Sequence, residues 1–288
     1  MLGETPVHEA IADRSATGIK KTRPVWLRVG CFVLLTYAIS APFEYLAISS
    51  GSMGAAGGLY ALGGMWSPGI AAFLTAAIFR LRIASFGWRW GETRYQLWSM
   101  SIPFLYCLVG YGLVWLLGLG GLKADQVIPR LQYLPLGLTM TCLAALGEEI
   151  GWNGFLVPQL AREYRFTTVA LTRGIVWSIW HYPMIIAGVY ANQTPVWFNL
   201  ICFTTMITGI SFILTWLRLK SGSLWTGMFF HASHNWFIQA YFTRLTTATA
   251  ITAYFIDEFG AMLALLSIVL AYLFWRMRGN LPMGTRVR

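Results

Sequence analysis

The chain has 288 residues, of which 57% are hydrophobic and 11% charged, with 21 Lys and Arg against 11 Asp and Glu for a net charge of +10. Soluble domains carry about 25% charged residues, so an ordinary soluble enzyme is excluded and the surplus apolar surface must face lipid. A basic excess in a soluble chain would point to nucleic acid; here it matches the Lys and Arg that collect on the cytoplasmic ends of membrane spans, and no nucleic-acid partner is expected.

In chain order, residues 1–24 are polar and basic and read as a cytoplasmic tail. The apolar run that follows is too long for a signal-peptide core, so it reads as an uncleaved anchor. Eight spans of about 20 residues each are then expected, near 25–48, 55–80, 97–121, 133–158, 168–190, 196–218, 223–243 and 259–277. The fold class is therefore all-α, a polytopic membrane helical bundle over 25–278 with both termini cytoplasmic, and residues 279–288 form a second cytoplasmic tail. Cys31, Cys107, Cys142 and Cys202 each lie within an apolar run without a CxxC pair, which argues against a disulfide framework or a thiolate zinc site.

The basic residues set the orientation. With the N-terminus inside, eighteen of the 21 fall on inner segments, and only Lys123, Arg130 and Arg244 fall outside. Asp257 and Glu258 also fall outside and are expected to play no part in the chemistry. Glu44 lies near the outer end of the first span, where water reaches it, and reads as structural.

Inside the fourth span, Glu148 and Glu149 are adjacent in a segment with no other charge between Arg130 and Arg162. A charge at such depth costs at least about 2.5 kcal/mol, so intramembrane carboxylates mark functional sites. At a rise of about 1.5 Å per residue, Glu148 and Glu149, His181 of the fifth span, and His231, His234 and Asn235 of the seventh all lie on the order of 12–20 Å from the cytoplasmic ends. Three helices thus place carboxylate, imidazole and amide groups in one layer. His231 and Asn235 are four residues apart and share a helix face, as do Glu149 and Asn153. Glu148 points about 100° away from Glu149, so one carboxylate faces a cavity and the other a neighbouring helix. His234 reads as an interhelical hydrogen bonder.

A carboxylate and an imidazole that meet in a dry pocket can deprotonate water, and two further donors can stabilise the oxyanion of a tetrahedral intermediate. The same side chains are also competent zinc ligands, although HExxH is absent.

Glu148-Glu149 followed by Gly151-Trp152-x-Gly154-Phe155-Leu156, then Trp177-x-x-x-His181-x-Pro183, then His231-x-x-x-Asn235, resemble the CPBP family, the type II CAAX prenyl endopeptidases and their bacterial relatives, also called the Abi family. The resemblance covers about residues 133–240, and the Glu-Glu-x-Gly-Trp form is closer to the bacterial branch. It implies an intramembrane glutamic endopeptidase in the cell membrane, acting on a membrane-associated peptide or protein. By it, Glu148 and His181 activate the water, His231 and Asn235 form the oxyanion hole, Glu149 and Asn153 support them, and catalysis needs no metal or other cofactor. One departure stands out. The family usually has Arg five residues after the first Glu, and this chain has Asn153, which can donate a hydrogen bond but no charge. Glu149 is then protonated or takes a cation from elsewhere, Arg173 being one candidate.

Cleavage is expected near the cytoplasmic leaflet. A non-catalytic relative acting as a scaffold or bacteriocin-immunity factor is the alternative that Asn153 favours. A transporter is disfavoured by the lack of an inverted repeat.

Overall fold

The computed structural model describes residues 24–282. Most of the expected N-terminal tail, with Arg14, Lys20, Lys21 and Arg23, lies outside the described residues, as do Arg286 and Arg288. The described chain is almost entirely helical: α1 Val25–Ser50, α2 Leu59–Phe79, α3 Thr93–Leu116, α4 Leu134–Glu149, α5 Phe166–Ile186, α6 Val196–Ser221, α7 Trp225–Asn235 and α8 Ala261–Arg276. A two-residue antiparallel ribbon, β1 Gly121–Leu122 with β2 Thr246–Thr247, ties the loop after α3 to the segment after α7.

Apolar composition and length make this a multi-pass membrane protein. Five helical segments are each long and apolar enough to cross a bilayer: Val25–Ser50, Ala55–Phe79, Thr93–Leu116, Val196–Ser221 and Ala261–Asn280. The other long helices, α4, α5 and α7, are those that carry the polar layer. α4 and α7 are cut short, to 16 and 11 residues, by the π-helical segments that follow them, and α5 carries the polar Arg173 and His181 within its apolar run. Taking packed neighbours in turn, α1–α2–α4–α7–α3–α8–α6–α5 closes back on α1, so the helices form a ring with a protected interior.

Two of the polar helices change winding immediately after their motif residues. α4 ends at Glu149 and continues as a π-helical segment, Ile150–Leu156, before a last α-turn at Val157–Leu160. α7 ends at Asn235 and continues as a second π segment, Trp236–Phe242. π-turns inside α-helices are rare and concentrate at functional sites. Here they rotate the chain that follows relative to the motif, which plain 3.6-residue periodicity does not anticipate.

Glycine permits the closest helix approach. At Gly147, a Cβ would lie 2.7 Å from the Cα of Trp66, and at Gly151 one would lie 2.8 Å from the carbonyl of Pro68. α2 and α4 therefore touch backbone to backbone on either side of the glutamate pair, the small-residue contact that lipid-embedded helices favour.

The ends of the bundle differ in charge. One end holds Arg80, Arg82, Arg89 and Arg94 around the α2–α3 connection, Arg162 and Arg165 before α5, Arg218 and Lys220 at the end of α6, and Arg276 and Arg278 at the end of α8. The other end holds Lys123, Arg130 and Arg244 together with Asp125, Asp257 and Glu258.

Candidate active site

The two adjacent carboxylates are both buried but have different surroundings. Glu148 lies at the last turn of α4, where its Oε2 accepts a hydrogen bond from Trp177 Nε1 of α5 at 2.7 Å and one from Trp152 Nε1 at 3.2 Å. With Oε2 capped by two indoles, the carboxylate lines a cavity of about 320 Å³. Glu149 points away into the protein. Its Oε1 and Oε2 take a forked pair of hydrogen bonds from one guanidinium nitrogen of Arg173, at 3.0 and 3.2 Å, and Oε1 also accepts from His231 Nδ1 at 3.1 Å.

Arg173 thus supplies the cation that Asn153 cannot. Its side chain is fully buried on α5. The second guanidinium nitrogen donates to Ser211 Oγ of α6 at 2.9 Å, and the guanidinium lies 4.6 Å from the centre of the Trp177 ring. Ser211 in turn donates to the carbonyl of Ile207. A buried ion pair gains most when its remaining donors and acceptors are matched; here both terminal guanidinium nitrogens are paired and Nε is not, in a chain running α4–α5–α6 and, by His231, to α7. Sequence reasoning gave Arg173 only as one candidate because nothing local links residues 149 and 173.

Asn153 contributes differently from the hydrogen-bond donor expected. Its side chain is fully buried, and neither Nδ2 nor Oδ1 has a hydrogen-bond partner. The residue acts through its backbone, whose carbonyl accepts from Arg218 Nε at 2.7 Å. Gly227 on α7 makes the room: a Cβ there would lie 2.6 Å from Glu149 Oε2 and closer still to the Asn153 amide.

His181 sits on the cavity wall with its Nδ1 3.0 Å from the carbonyl of Trp177. A carbonyl only accepts, so Nδ1 carries the hydrogen and the neutral ring presents a bare Nε2. The same logic applies to His231, whose Nδ1 meets a carboxylate. Its ring stacks edge-on to Trp177 with centroids 5.0 Å apart. Asn235, one turn beyond His231, also lines the cavity, as does His234, whose Nδ1 meets the hydroxyl of Tyr106 on α3. That contact gives His234 the interhelical partner expected of it. The structure therefore brings Glu148, His181, His231 and Asn235 to one cavity and puts Glu149 and Asn153 behind it.

Some of the wall was not anticipated. Glu44 of α1 lines the same cavity, together with Gln239 of the second π segment and Tyr190 of the loop after α5. Gln239 Nε2 donates to Glu258 Oε1 at 2.6 Å, which places that buried carboxylate directly behind the wall. No short-range pattern points to these residues; their common feature, a polar group near the same end of three different segments, becomes visible only once the ring is closed.

Residues 130–237 match the family model described as Type II CAAX prenyl endopeptidase Rce1-like. That segment is similar to this family. It contains the whole α4–α7 constellation, ending just past Asn235. The chain is also 33% identical over 89 residues to CAAX prenyl protease 2 of Methanococcus maripaludis, a match covering 29% of this chain and 32% of the relative. The chain thus spans about a third of that relative's length, and α1, α2, α3 and α8 lie outside the matched family region.

The two indoles that cap Glu148 provide a direct test of its environment. A hydrogen bond to a charged group is worth about 1.5–3 kcal/mol. Trp177→Phe, which removes the shorter bond, is expected to lower thermal stability of the purified protein by more than Trp152→Phe, which removes the longer one. Because both substitutions delete the same atoms, an equal loss would show that ring volume, not the Nε1 donor, sets the effect.

Proposed function

We propose that the protein is a glutamate-dependent intramembrane endopeptidase that hydrolyses a peptide bond of a membrane-associated substrate, CAAX-type lipidated peptides among the class. The observation that carries this reading is the convergence of Glu148, His181, His231 and Asn235 on one cavity, with Glu149 neutralised behind it by Arg173.

In this reading a water held between the cavity-facing carboxylate of Glu148 and the bare Nε2 of His181 loses its proton to Glu148 as its oxygen attacks the scissile carbonyl. The new C–O bond turns the carbonyl oxygen into an oxyanion, which is met by the side-chain amide of Asn235 and, when the imidazole is protonated, by Nε2–H of His231. Glu149 accepts from His231 Nδ1, which orients the ring and stabilises its protonated form. Collapse of the tetrahedral intermediate breaks the C–N bond, and Glu148 returns the proton to the leaving amine. Arg173 and Ser211 hold Glu149; they touch no reacting atom. The charge that this chain lacks at position 153 comes from α5, which supports the catalytic reading over that of a non-catalytic relative.

The reading is tested with purified, reconstituted protein against a panel of membrane-anchored peptides, prenylated and unprenylated, with products identified by mass spectrometry. His181→Ala and Asn235→Ala are each expected to lower kcat by about 10²-fold or more while leaving the folded protein intact. Removal of an oxyanion donor at Asn235 should leave KM nearly unchanged, since the lost interaction forms only in the transition state. Retention of wild-type kcat in both variants would rule the mechanism out. Loss of activity on chelation with recovery on adding zinc would replace it with a metal-dependent one.

A further inference from the structure

The cavity is not symmetric about the polar layer. From Glu148 and His181 it runs toward one end of the bundle only. α1 contributes Phe43, Glu44 and Ala47 from its C-terminal half, α2 contributes Tyr60 and Ala61 from its first turn, and Met53 reaches in from the loop between them. α6, running the opposite way to α5, contributes Phe203 and Ile207 from its N-terminal half, and α7 contributes Gln239 from beyond its motif. All of these lie toward the bundle end that holds the α1–α2 loop, the β1–β2 ribbon and the acidic residues Asp257 and Glu258.

The basic residues lie at the opposite end. Arg80, Arg82, Arg89, Arg94, Arg162, Arg165, Arg218, Lys220, Arg276 and Arg278 sit there against Glu92 and Glu163. Lys and Arg near span ends are retained on the cytoplasmic side. The exceptions, Lys123, Arg130 and Arg244, do not weaken this orientation. All line a single pocket of about 420 Å³ with Asp257 and Glu258, and that pocket shares Gln239 with the catalytic cavity. They are gathered at one local site instead of being spread over the loops.

We infer that the catalytic cavity is reached from the extracytoplasmic end of the bundle, so that the substrate class is peptide segments presented on that side of the membrane. The inference rests on the endopeptidase reading for the word substrate, but its geometric part does not. It reverses the cytoplasmic-side cleavage expected from the depth of the motifs alone. The walls set the character of the guest: Phe43, Met53, Tyr60 and Phe203 offer apolar and aromatic surface, while Glu44 is the carboxylate nearest the mouth on α1. A peptide with apolar side chains flanking its scissile bond fits these walls, and a cationic residue on the mouth side would meet Glu44.

The test uses the full chain in intact cells, with Cys31, Cys107, Cys142 and Cys202 replaced by alanine and single cysteines introduced at Met53, Tyr60 or Ala84. A membrane-impermeant maleimide is expected to label Met53→Cys and Tyr60→Cys in intact cells, and Ala84→Cys only after permeabilisation. Labelling of Ala84→Cys in intact cells, or labelling of Met53→Cys and Tyr60→Cys only after permeabilisation, overturns the inference. A second arm uses the reconstituted protein and the peptide panel. Maleimide attached at Tyr60→Cys is expected to abolish hydrolysis, and maleimide at Ala84→Cys to leave it unchanged; hydrolysis that survives modification at Tyr60→Cys overturns the access route. If the labelling pattern is as expected but no variant, modified or not, hydrolyses any peptide, the orientation stands and the endopeptidase reading fails.

Discussion

Glu148→Gln is expected to abolish measurable peptide hydrolysis while leaving the fold intact. General acid–base catalysis by a positioned side chain contributes about 10²–10⁴-fold, equivalent to about 3–5 kcal/mol of transition-state stabilisation. The amide is isosteric with the carboxylate, so it fills the same space beside Trp177 and Trp152, and its carbonyl oxygen still accepts from the indole at 2.7 Å. What it loses is the ability to take a proton from water. The measurement is kcat with the peptide panel, beside the melting temperature of the purified protein. A Glu148→Gln protein that cleaves at the wild-type rate removes Glu148 from the chemistry. One that is inactive because it no longer folds is separated from a catalytic loss by the melting curve. Glu149→Gln offers the contrast: it breaks the pairing with Arg173 and His231, so its activity loss should come with a loss of stability.

Arg173→Met carries the largest expected effect on stability. Glu149 and Arg173 are both inaccessible to solvent, and removing one partner of a buried ion pair costs about 3–5 kcal/mol because the other charge is left unmatched. The guanidinium also donates to Ser211 and stacks on Trp177, so α4, α5 and α6 lose a shared anchor. Arg173→Lys restores charge without the planar fork and is expected to recover only part of the loss. The double variant Arg173→Met with Glu149→Gln removes both charges and should be more stable than Arg173→Met alone, a coupling that a double-mutant cycle reads directly. If Arg173→Met unfolds no more readily than wild type, the pair is not what neutralises Glu149.

How far the residues alone reach is clearest in particular cases. The helical boundaries were legible because length, apolar content and flanking charges are local properties: α1, α2, α6 and α8 begin and end within a few residues of the apolar runs. The different facing of Glu148 and Glu149, one to the cavity and one to Arg173, followed from a helical step of about 100°, since neighbours on one helix cannot face the same way. The π segments after Glu149 and Asn235 were not legible, because they depend on how α4 and α7 are packed and not on propensity.

The sequence by itself determined that this is a helical membrane protein, that its costly polar residues belong to one depth, and that a motif on three spans pairs carboxylates with imidazole and amide groups. Those conclusions rest on solvation, which charges every residue according to its own chemistry. Only the tertiary structure decided that Arg173 supplies the cation missing at Asn153, that Trp177 caps Glu148, and that the cavity runs past Glu44 and Gln239 toward the end that holds Asp257 and Glu258. Each of these joins residues from different helices. Their energies come from distances of about 3 Å that sequence separation does not encode, and from a closed ring of helices that exists only when all its members are in place.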